Sequence, residues 1–107
     1  MIYAIYLNPT IDKTVYLDEL KIGGTNRPDT VLTQGGGKAL NLAVVASRLG
    51  AEAAVSGFLC SEGCSMIRSA LSGIPCYFIE QPGLPRTNTK IYDRSAAHIT
   101  EINEAGP

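Results

Sequence analysis

The sequence of 107 residues predicts an α/β fold, with a narrow parallel sheet covered by helices and two strand-rich segments outside it. The first observation is the alternation of strand and helix patterns at short spacing, which is typical of βαβ units. The second is that segments at about 12–33 and 86–103 have the alternating pattern of strands, with no helix between them. We therefore expect these two segments to pair into a small separate sheet that projects from the α/β body.

The strand and helix patterns follow a regular order along the chain. Residues 2–7 are apolar at almost every position, which is typical of a strand in the middle of a helix-covered parallel sheet. Asn8-Pro9-Thr10 ends this strand, because proline lacks a backbone donor. Apolar residues cover most of the circumference of a helix at 38–49, so we expect that helix to be buried. The other predicted elements are strands at 14–17, 30–33, 53–59 and 74–79 and a helix at about 63–72.

The composition argues against several classes of function. Nine basic and ten acidic side chains give a net charge of −1, so the chain lacks the positive charge of a nucleic-acid or membrane-surface binder. No apolar run approaches the ~20 residues of a membrane span, and the N-terminus lacks the basic region of a signal peptide. We therefore expect a cytoplasmic protein, without a metal site, whose cysteines are reduced thiols at Cys60, Cys64 and Cys76.

The strongest functional signal is Gly35-Gly36-Gly37-Lys38-Ala39-Leu40-Asn41, a glycine run that leads into a helix. Glycines let backbone N–H groups approach a ligand, and the first N–H groups of a helix have no partner within it. Together they predict a cradle for an anion or a hydroxyl group, with Lys38 and Asn41 on one face at its mouth. A purely structural turn before the helix is the alternative.

Two further segments carry polar side chains that suit a sugar phosphate. Asp12 follows the first strand, where ligands bind in open α/β sheets, and its carboxylate can accept two sugar hydroxyls. Arg86 and Asn88 alternate along a predicted strand and so share a face, and the arginine fork suits a phosphate. The alternatives are a turn-forming or capping aspartate and a charged strand edge exposed to solvent.

In this order, the three segments resemble the ribokinase-like, or PfkB, carbohydrate kinases, most closely the branch that holds 1-phosphofructokinase and tagatose-6-phosphate kinase. Residues 8–12 match N-P-[ST]-[IVL]-D, and residues 36–41 match G-G-K-G-x-N except that Ala39 replaces a glycine. Cys60-Ser61 also departs from the branch, which has two glycines there. The remaining likenesses are residues 48–50 to R-L-G, 56–59 to G-F-L, 85–91 to T-R-x-N-x-K-I and 100–107 to T-E-I-N-x-x-G-P.

The resemblance implies a ribokinase-like fold, in which a Rossmann-type α/β body carries a small β-lid over the sugar. Residues 1–107 would be the N-terminal third of one kinase domain, with lid segments at about 12–33 and 86–103. Asp12 would bind sugar hydroxyls, and Arg27, in the first lid segment, would reach the phosphate of a neighbouring subunit in a lid-joined homodimer. The other implied substrate-binding residues are Gly36, Gly37 and Asn41 around the sugar and Lys38, Arg86 and Asn88 near its phosphate.

The resemblance also implies phosphoryl transfer from ATP, with Mg²⁺, to a sugar phosphate, most closely fructose 1-phosphate. The catalytic base of the family is the aspartate of a G-A-G-D motif, which these 107 residues do not contain, and the ATP and magnesium sites lie in the same later part. We therefore expect an N-terminal kinase fragment that holds the sugar-phosphate pocket and is inactive alone. The alternatives are tagatose-6-phosphate kinase or another PfkB-type kinase, a non-catalytic sugar-phosphate-binding module, and an inert truncated product.

Overall fold

The computed structural model describes residues 1–105, so the predicted likeness at 106–107 lies outside the described residues. The described chain forms a three-stranded sheet and a four-stranded sheet, accompanied by two helices. The strands are β1 (Ile2–Tyr6), β2 (Thr10–Leu17), β3 (Thr30–Gly36), β4 (Ala53–Cys60), β5 (Cys76–Gln81), β6 (Arg86–Asp93) and β7 (His98–Asn103). The helices are α1 (Lys38–Arg48) and α2 (Ser65–Ala70).

The three-stranded sheet has the order β1-β4-β5, and all its strands are parallel. This arrangement confirms the predicted α/β class. The prediction that β1 lies in the middle of the sheet is wrong for residues 1–105, because β4 pairs on both sides and β1 lies at the edge. One face packs against α1, with Ala4 and Val55 in a cluster with Ala43, whereas the opposite face leaves Tyr3 and Ile5 exposed.

The four-stranded sheet has the order β3-β2-β6-β7, and it joins the two strand-rich segments of the sequence. β2 and β6 pair in parallel at its centre, and β3 and β7 pair with them in antiparallel fashion on the outside. β2 begins at Thr10, not at residue 14, and β3 continues to Gly36 and not only to residue 33. Thr10 pairs with Gly36 on one side and with Arg86 on the other, so pairing between distant segments extends both strands beyond the limits that local composition suggests.

The helices pack on different parts of the two sheets. A Cβ at Gly35 of β3 would lie 3.0 Å from the Cα of Ile67, so the glycine permits close packing of α2, which is shorter than predicted. The predicted burial of α1 on most sides is wrong, because Leu42 and Val45 are more than half exposed on the side away from the parallel sheet. Within residues 1–105, neither helix has the length and apolar character needed to cross a membrane.

Candidate functional site

Most of the predicted site residues meet at the junction of the two sheets. β1 of the parallel sheet ends at Tyr6, and β2 of the other sheet begins four residues later at Thr10. The end of β3 and the start of β6 both lie beside the start of β2. This junction brings together Asp12, Gly36, Gly37, Lys38, Arg86 and Asn88.

Asp12 lies within β2, so it is not the turn-forming or capping aspartate of the alternative interpretation. It pairs with Gln34 on β3 and with Asn88 on β6, and Asn88 pairs in turn with Asn103 on β7. Directly paired residues have side chains on the same face, and adjacent strands lie ~4.8 Å apart. One carboxylate and three carboxamides therefore form a line across the sheet, here called the polar row: Gln34, Asp12, Asn88 and Asn103.

Gly36 and Gly37 lie beside the polar row, and neighbouring groups are too close to either residue for a side chain to fit. A Cβ at Gly36 would overlap the Asp12 carboxylate, so the carboxylate lies directly against the Gly36 backbone. Gly37 caps the N-terminus of α1 with a φ of 104°, in the left-handed region that favours glycine. A Cβ at Gly37 would also lie 2.9 Å from the Tyr6 ring. Any side chain at either position would displace groups that form the site.

Tyr6 holds the glycine segment in place through its hydroxyl. This hydroxyl donates to the Gly36 carbonyl over 2.6 Å and accepts from the Thr10 N–H over 2.9 Å. Burial raises the pKa of the phenol, and the nearby Cys64 and Asp12 add to the effect. Tyr6 is therefore protonated at neutral pH and serves as a donor to Gly36.

Arg86 is fixed at one side of its guanidinium group. Its Nε donates to the Thr10 hydroxyl over 2.8 Å, and its backbone N–H donates to the Pro9 carbonyl. In the described part of the chain, neither terminal nitrogen of Arg86 has a hydrogen-bond or ion-pair partner. Two charged donors thus remain for a ligand, in the fork geometry that suits a phosphate or carboxylate.

The acceptors beside Arg86 are also unpaired. Asp12 forms no salt bridge with any residue between 1 and 105. The Asn88 Oδ1 is buried, and it too lacks a hydrogen-bond partner within that range. Buried polar atoms without partners are costly and uncommon, so this oxygen suits a donor from a bound molecule. The site fits a ligand that carries both hydroxyl groups and an anion.

Lys38 and Asn41 lie in the first turn of α1, and both are exposed. Lys38 directly follows Gly37, which places a positive charge at the entrance of the glycine segment. Asn41 lines a cavity of about 320 Å³ together with Gln34 and Gly35. Gln34 therefore belongs both to the polar row and to the cavity beside α1.

Arg27 lies apart from the other predicted site residues. It is in the segment between β2 and β3, where it lines a cavity of about 390 Å³ with Asp18, Glu19 and Asp29. This is the end of the four-stranded sheet opposite Gly36 and Gly37. The distance along β2 from Asp12 to its end is roughly 16 Å at ~3.3 Å per residue. Arg27 therefore does not join the polar row within one chain.

The described residues do not fit a metal site. Between residues 1 and 105, no group of three or more histidine, cysteine or acidic side chains could hold an ion. Cys60 and Cys64 are buried free thiols in the main core cluster, and burial raises the pKa of Cys60, with Cys64 adding to the effect. The described residues therefore supply no set of ligands for magnesium, and both thiols serve as packing groups.

Comparison with known proteins identifies the family. The model for "pfkB family carbohydrate kinase" matches residues 6–107. The chain belongs to this family. Relatives of this PfkB-family chain include the 1-phosphofructokinases of Haloferax volcanii, 33% identical over 110 residues, and of Xanthomonas campestris, 33% identical over 106 residues. These matches cover 100% and 96% of the chain but 35% and 33% of the two relatives.

A solved structure confirms the ribokinase-like fold of the PfkB-family chain. The crystal structure of a "Possible 1-phosphofructokinase" from Thermotoga maritima is similar to it, with a TM-score of 0.83 and 25% sequence identity. The match covers 100% of the chain and 36% of that structure. The chain thus spans about a third of the length of the relatives that it matches.

Four residues of the candidate site of this PfkB-family chain were not predicted from the sequence: Tyr6, Thr10, Gln34 and Asn103. Gln34 directly precedes the glycine run, and Asn103 ends the segment that resembles T-E-I-N. Both lie on neighbouring strands directly opposite Asp12 and Asn88, so the strand register is needed to identify them. Thr10 fills the [ST] position of the motif N-P-[ST]-[IVL]-D, but its role depends on contacts across the junction of the sheets. Tyr6 has no sequence signal, because its role depends on the same junction.

Proposed function

We propose that this chain binds a ketose phosphate, preferentially fructose 1-phosphate, as the substrate-binding part of a 1-phosphofructokinase-type kinase. The observation that carries the proposal is the unpaired end of the Arg86 guanidinium group next to the polar row. A sugar phosphate has both groups that these side chains need, namely hydroxyls for the row and a dianion for the arginine. The names of the two curated relatives support a phosphofructose substrate over other sugars.

The polar row and the glycines bind the sugar in this proposal. Asp12 accepts hydrogen bonds from sugar hydroxyls, and the buried Asn88 Oδ1 accepts one more. Gly36 and Gly37 allow the sugar to approach the backbone, and Asn41 contacts it from the adjacent cavity.

The phosphate is bound at the start of β6. Arg86 and Asn88 are two residues apart on this strand, so about 6.6 Å separates them along it. This distance separates the phosphate contact of Arg86 from the hydroxyl contact of Asn88. Lys38 supplies a second positive charge at the entrance of the glycine segment.

The four-stranded sheet is proposed to be a lid over the sugar. It is made from the segments at about 12–33 and 86–103, within a single kinase domain that includes residues 1–107. Because Arg27 lies at the far end of this sheet, we propose that it reaches the phosphate bound to a second subunit in a homodimer joined through the lids. This assignment requires a second copy, since Arg27 is remote from Asp12 in its own chain.

The proposed reaction of the family is transfer of a phosphoryl group from ATP, with Mg²⁺, to the sugar phosphate. The part assigned to these residues is binding and orientation of the acceptor, and positioning is a large share of catalysis in this chemistry. The 107 residues contain no G-A-G-D motif, so we propose that they bind the sugar phosphate without transferring a phosphoryl group themselves. The three free cysteines favour the reducing conditions of the cytoplasm as the place of this activity.

Isothermal titration calorimetry of the 107-residue chain tests the proposal. We expect binding of fructose 1-phosphate and weaker binding of unphosphorylated fructose, because only the phosphate engages Arg86. Arg86→Ala should lower the affinity for fructose 1-phosphate by at least about tenfold and leave the affinity for fructose unchanged. Arg68→Ala is the matched control, because Arg68 is an exposed arginine on α2 whose partner is Glu80, at 3.3 Å.

Titrations with fructose 6-phosphate and tagatose 6-phosphate rank the substrate candidates. Tighter binding of either one would contradict the preference for fructose 1-phosphate. Failure to bind any sugar phosphate would overturn the whole proposal, as would an Arg86→Ala variant that binds like the wild type. Release of ADP from ATP and Mg²⁺ by the 107 residues would contradict the binding-only role.

A further inference from the structure

Thr10 has an unusual position for a polar residue. Its side chain carries a hydroxyl group and yet is only 1% exposed. It is the first residue of β2, between Gly36 of β3 and Arg86 of β6. A buried hydroxyl is costly unless it is fully hydrogen-bonded, so its partners indicate what it does.

The hydroxyl of Thr10 donates one hydrogen bond and accepts another. Its one hydrogen is donated to the Asn8 carbonyl over 2.8 Å. That bond leaves the oxygen lone pairs free to accept, and the Nε of Arg86 donates to them over 2.8 Å. The two residues are 76 positions apart in the sequence, so this bond forms only when β2 and β6 pair.

The bond at Nε determines how Arg86 can meet an anion. A guanidinium group can bind a phosphate side-on, through Nε and one terminal nitrogen, or end-on, through both terminal nitrogens. Thr10 occupies the Nε hydrogen, so the side-on mode is blocked. The same bond restricts the long side chain of Arg86, which otherwise has many rotamers.

We propose that Thr10 is a positioning residue for phosphate recognition: it holds Arg86 at Nε so that both terminal nitrogens bind the phosphate end-on. The proposal rests on the proposed function, in which Arg86 contacts the phosphate of the sugar phosphate. It adds a residue that has no contact with the ligand and acts through Arg86.

Thr10→Val isolates this role, because valine has nearly the same shape but no hydroxyl. The backbone N–H of Thr10, which donates to the Tyr6 hydroxyl, remains in the variant, so the link to Gly36 is kept. Thr10→Ser is the conservative control, since serine retains the hydroxyl that accepts from Arg86. Thermal melting and amide NMR spectra of each variant verify that it is folded.

The readout is the affinity for a phosphorylated sugar relative to an unphosphorylated one. By calorimetry, Thr10→Val should bind fructose 1-phosphate roughly tenfold more weakly than the wild type and bind fructose equally well. Thr10→Ser should restore most of the lost affinity. In the Arg86→Ala background, Thr10→Val should cause no further loss, because the group that it orients is absent.

NMR gives a second test that needs no ligand. The Nε–H signal of Arg86 should exchange slowly with water in the wild type and in Thr10→Ser, and rapidly in Thr10→Val. Equal exchange in the wild type and Thr10→Val would overturn the inference.

The binding data separate failure of this inference from failure of the proposed function. If Arg86→Ala weakens phosphate binding but Thr10→Val does not, Thr10 has no positioning role and the proposed function stands. An equal loss from Thr10→Val with and without Arg86 would mean that Thr10 acts on the fold, which also overturns the inference. If Arg86→Ala binds fructose 1-phosphate like the wild type, the phosphate role of Arg86 is wrong, and this inference falls with it.

Discussion

At the scale of single residues, the candidate site depends on glycines, because neighbouring side chains occupy the space that a Cβ would need. Gly36 is the main example, because the Asp12 carboxylate occupies the space in which any Cβ would lie. The carbonyl of the same glycine accepts the hydrogen bond from Tyr6. Gly36 thus fixes the position of an acidic side chain on one strand and an aromatic hydroxyl on another.

Gly36→Ala should therefore damage binding more than folding. The added methyl group would push Asp12 out of the polar row, so we expect calorimetry to show at least about tenfold weaker binding of fructose 1-phosphate. The strain should lower the free energy of unfolding by about 1–3 kcal/mol, measured by urea denaturation. Gly24→Ala is the control, because its Cβ would meet only Lys21, at 3.3 Å. Normal binding by Gly36→Ala would contradict the packing of Asp12 against this backbone.

At the scale of elements, one arginine stabilises the end of the four-stranded sheet that lies far from Gly36 and Gly37. Arg94 follows β6, and its guanidinium group donates to Asp18 after β2 and to Asp29 before β3, with bonds of 3.1 Å to each carboxylate. It also lies over the Tyr16 ring, 5.5 Å from the ring centre. The hydrogen bond from Arg94 holds the pKa of Asp29 below its usual range. These contacts connect three of the strands of the proposed lid.

The lowered pKa of Asp29 predicts a pH dependence of stability. The charged form is favoured in the folded chain, so the contribution is fully present above the ordinary aspartate pKa of about 4 and is lost as the pH falls through the lower folded value. In thermal melts, the stability difference between wild type and Asp29→Asn should shrink on acidification from about pH 5 to pH 2. Glu62→Gln, which removes another exposed carboxylate, is the control. A difference that stays constant over this range would refute the role of the Arg94 contact.

At the scale of the whole molecule, the parallel sheet is covered on one face only. Tyr3, Ile5, Tyr77 and Ile79 lie on the other face, and each is at least 56% exposed. Strands β1 and β5 are the edges of this sheet as residues 1–105 form it. Contiguous apolar surface of this kind, together with open strand edges, favours association between molecules.

The 107-residue chain should therefore self-associate in a concentration-dependent way. Analytical ultracentrifugation should show a rising average mass with concentration, and the double variant Ile5→Lys with Ile79→Lys should reduce it. Ile22→Lys is the control, because Ile22 is 95% exposed in a loop outside this face and should have no effect. A wild-type chain that remains monomeric at high concentration, or an equal effect of Ile22→Lys, would rule out this face as the cause.

The sequence alone determined the order and type of the elements, and it indicated most of the residues of the candidate site. Local patterns suffice for this: the apolar run of β4 and the glycine run before α1 depend on neighbouring residues only. Short motifs, each within a few consecutive residues, indicated Asp12, Gly36, Arg86 and Asn88. The comparisons confirmed the family that these motifs indicated.

Only the tertiary structure decided how these segments meet. The polar row depends on the register of four strands, in which Gln34, Asp12, Asn88 and Asn103 are brought side by side by backbone hydrogen bonds between distant segments. The support of Arg86 by Thr10 and the edge position of β1 have the same origin. The physical reason is that strand pairing is a non-local interaction: a short pattern shows that a strand forms, but its partner and register are set by the packing of the whole chain.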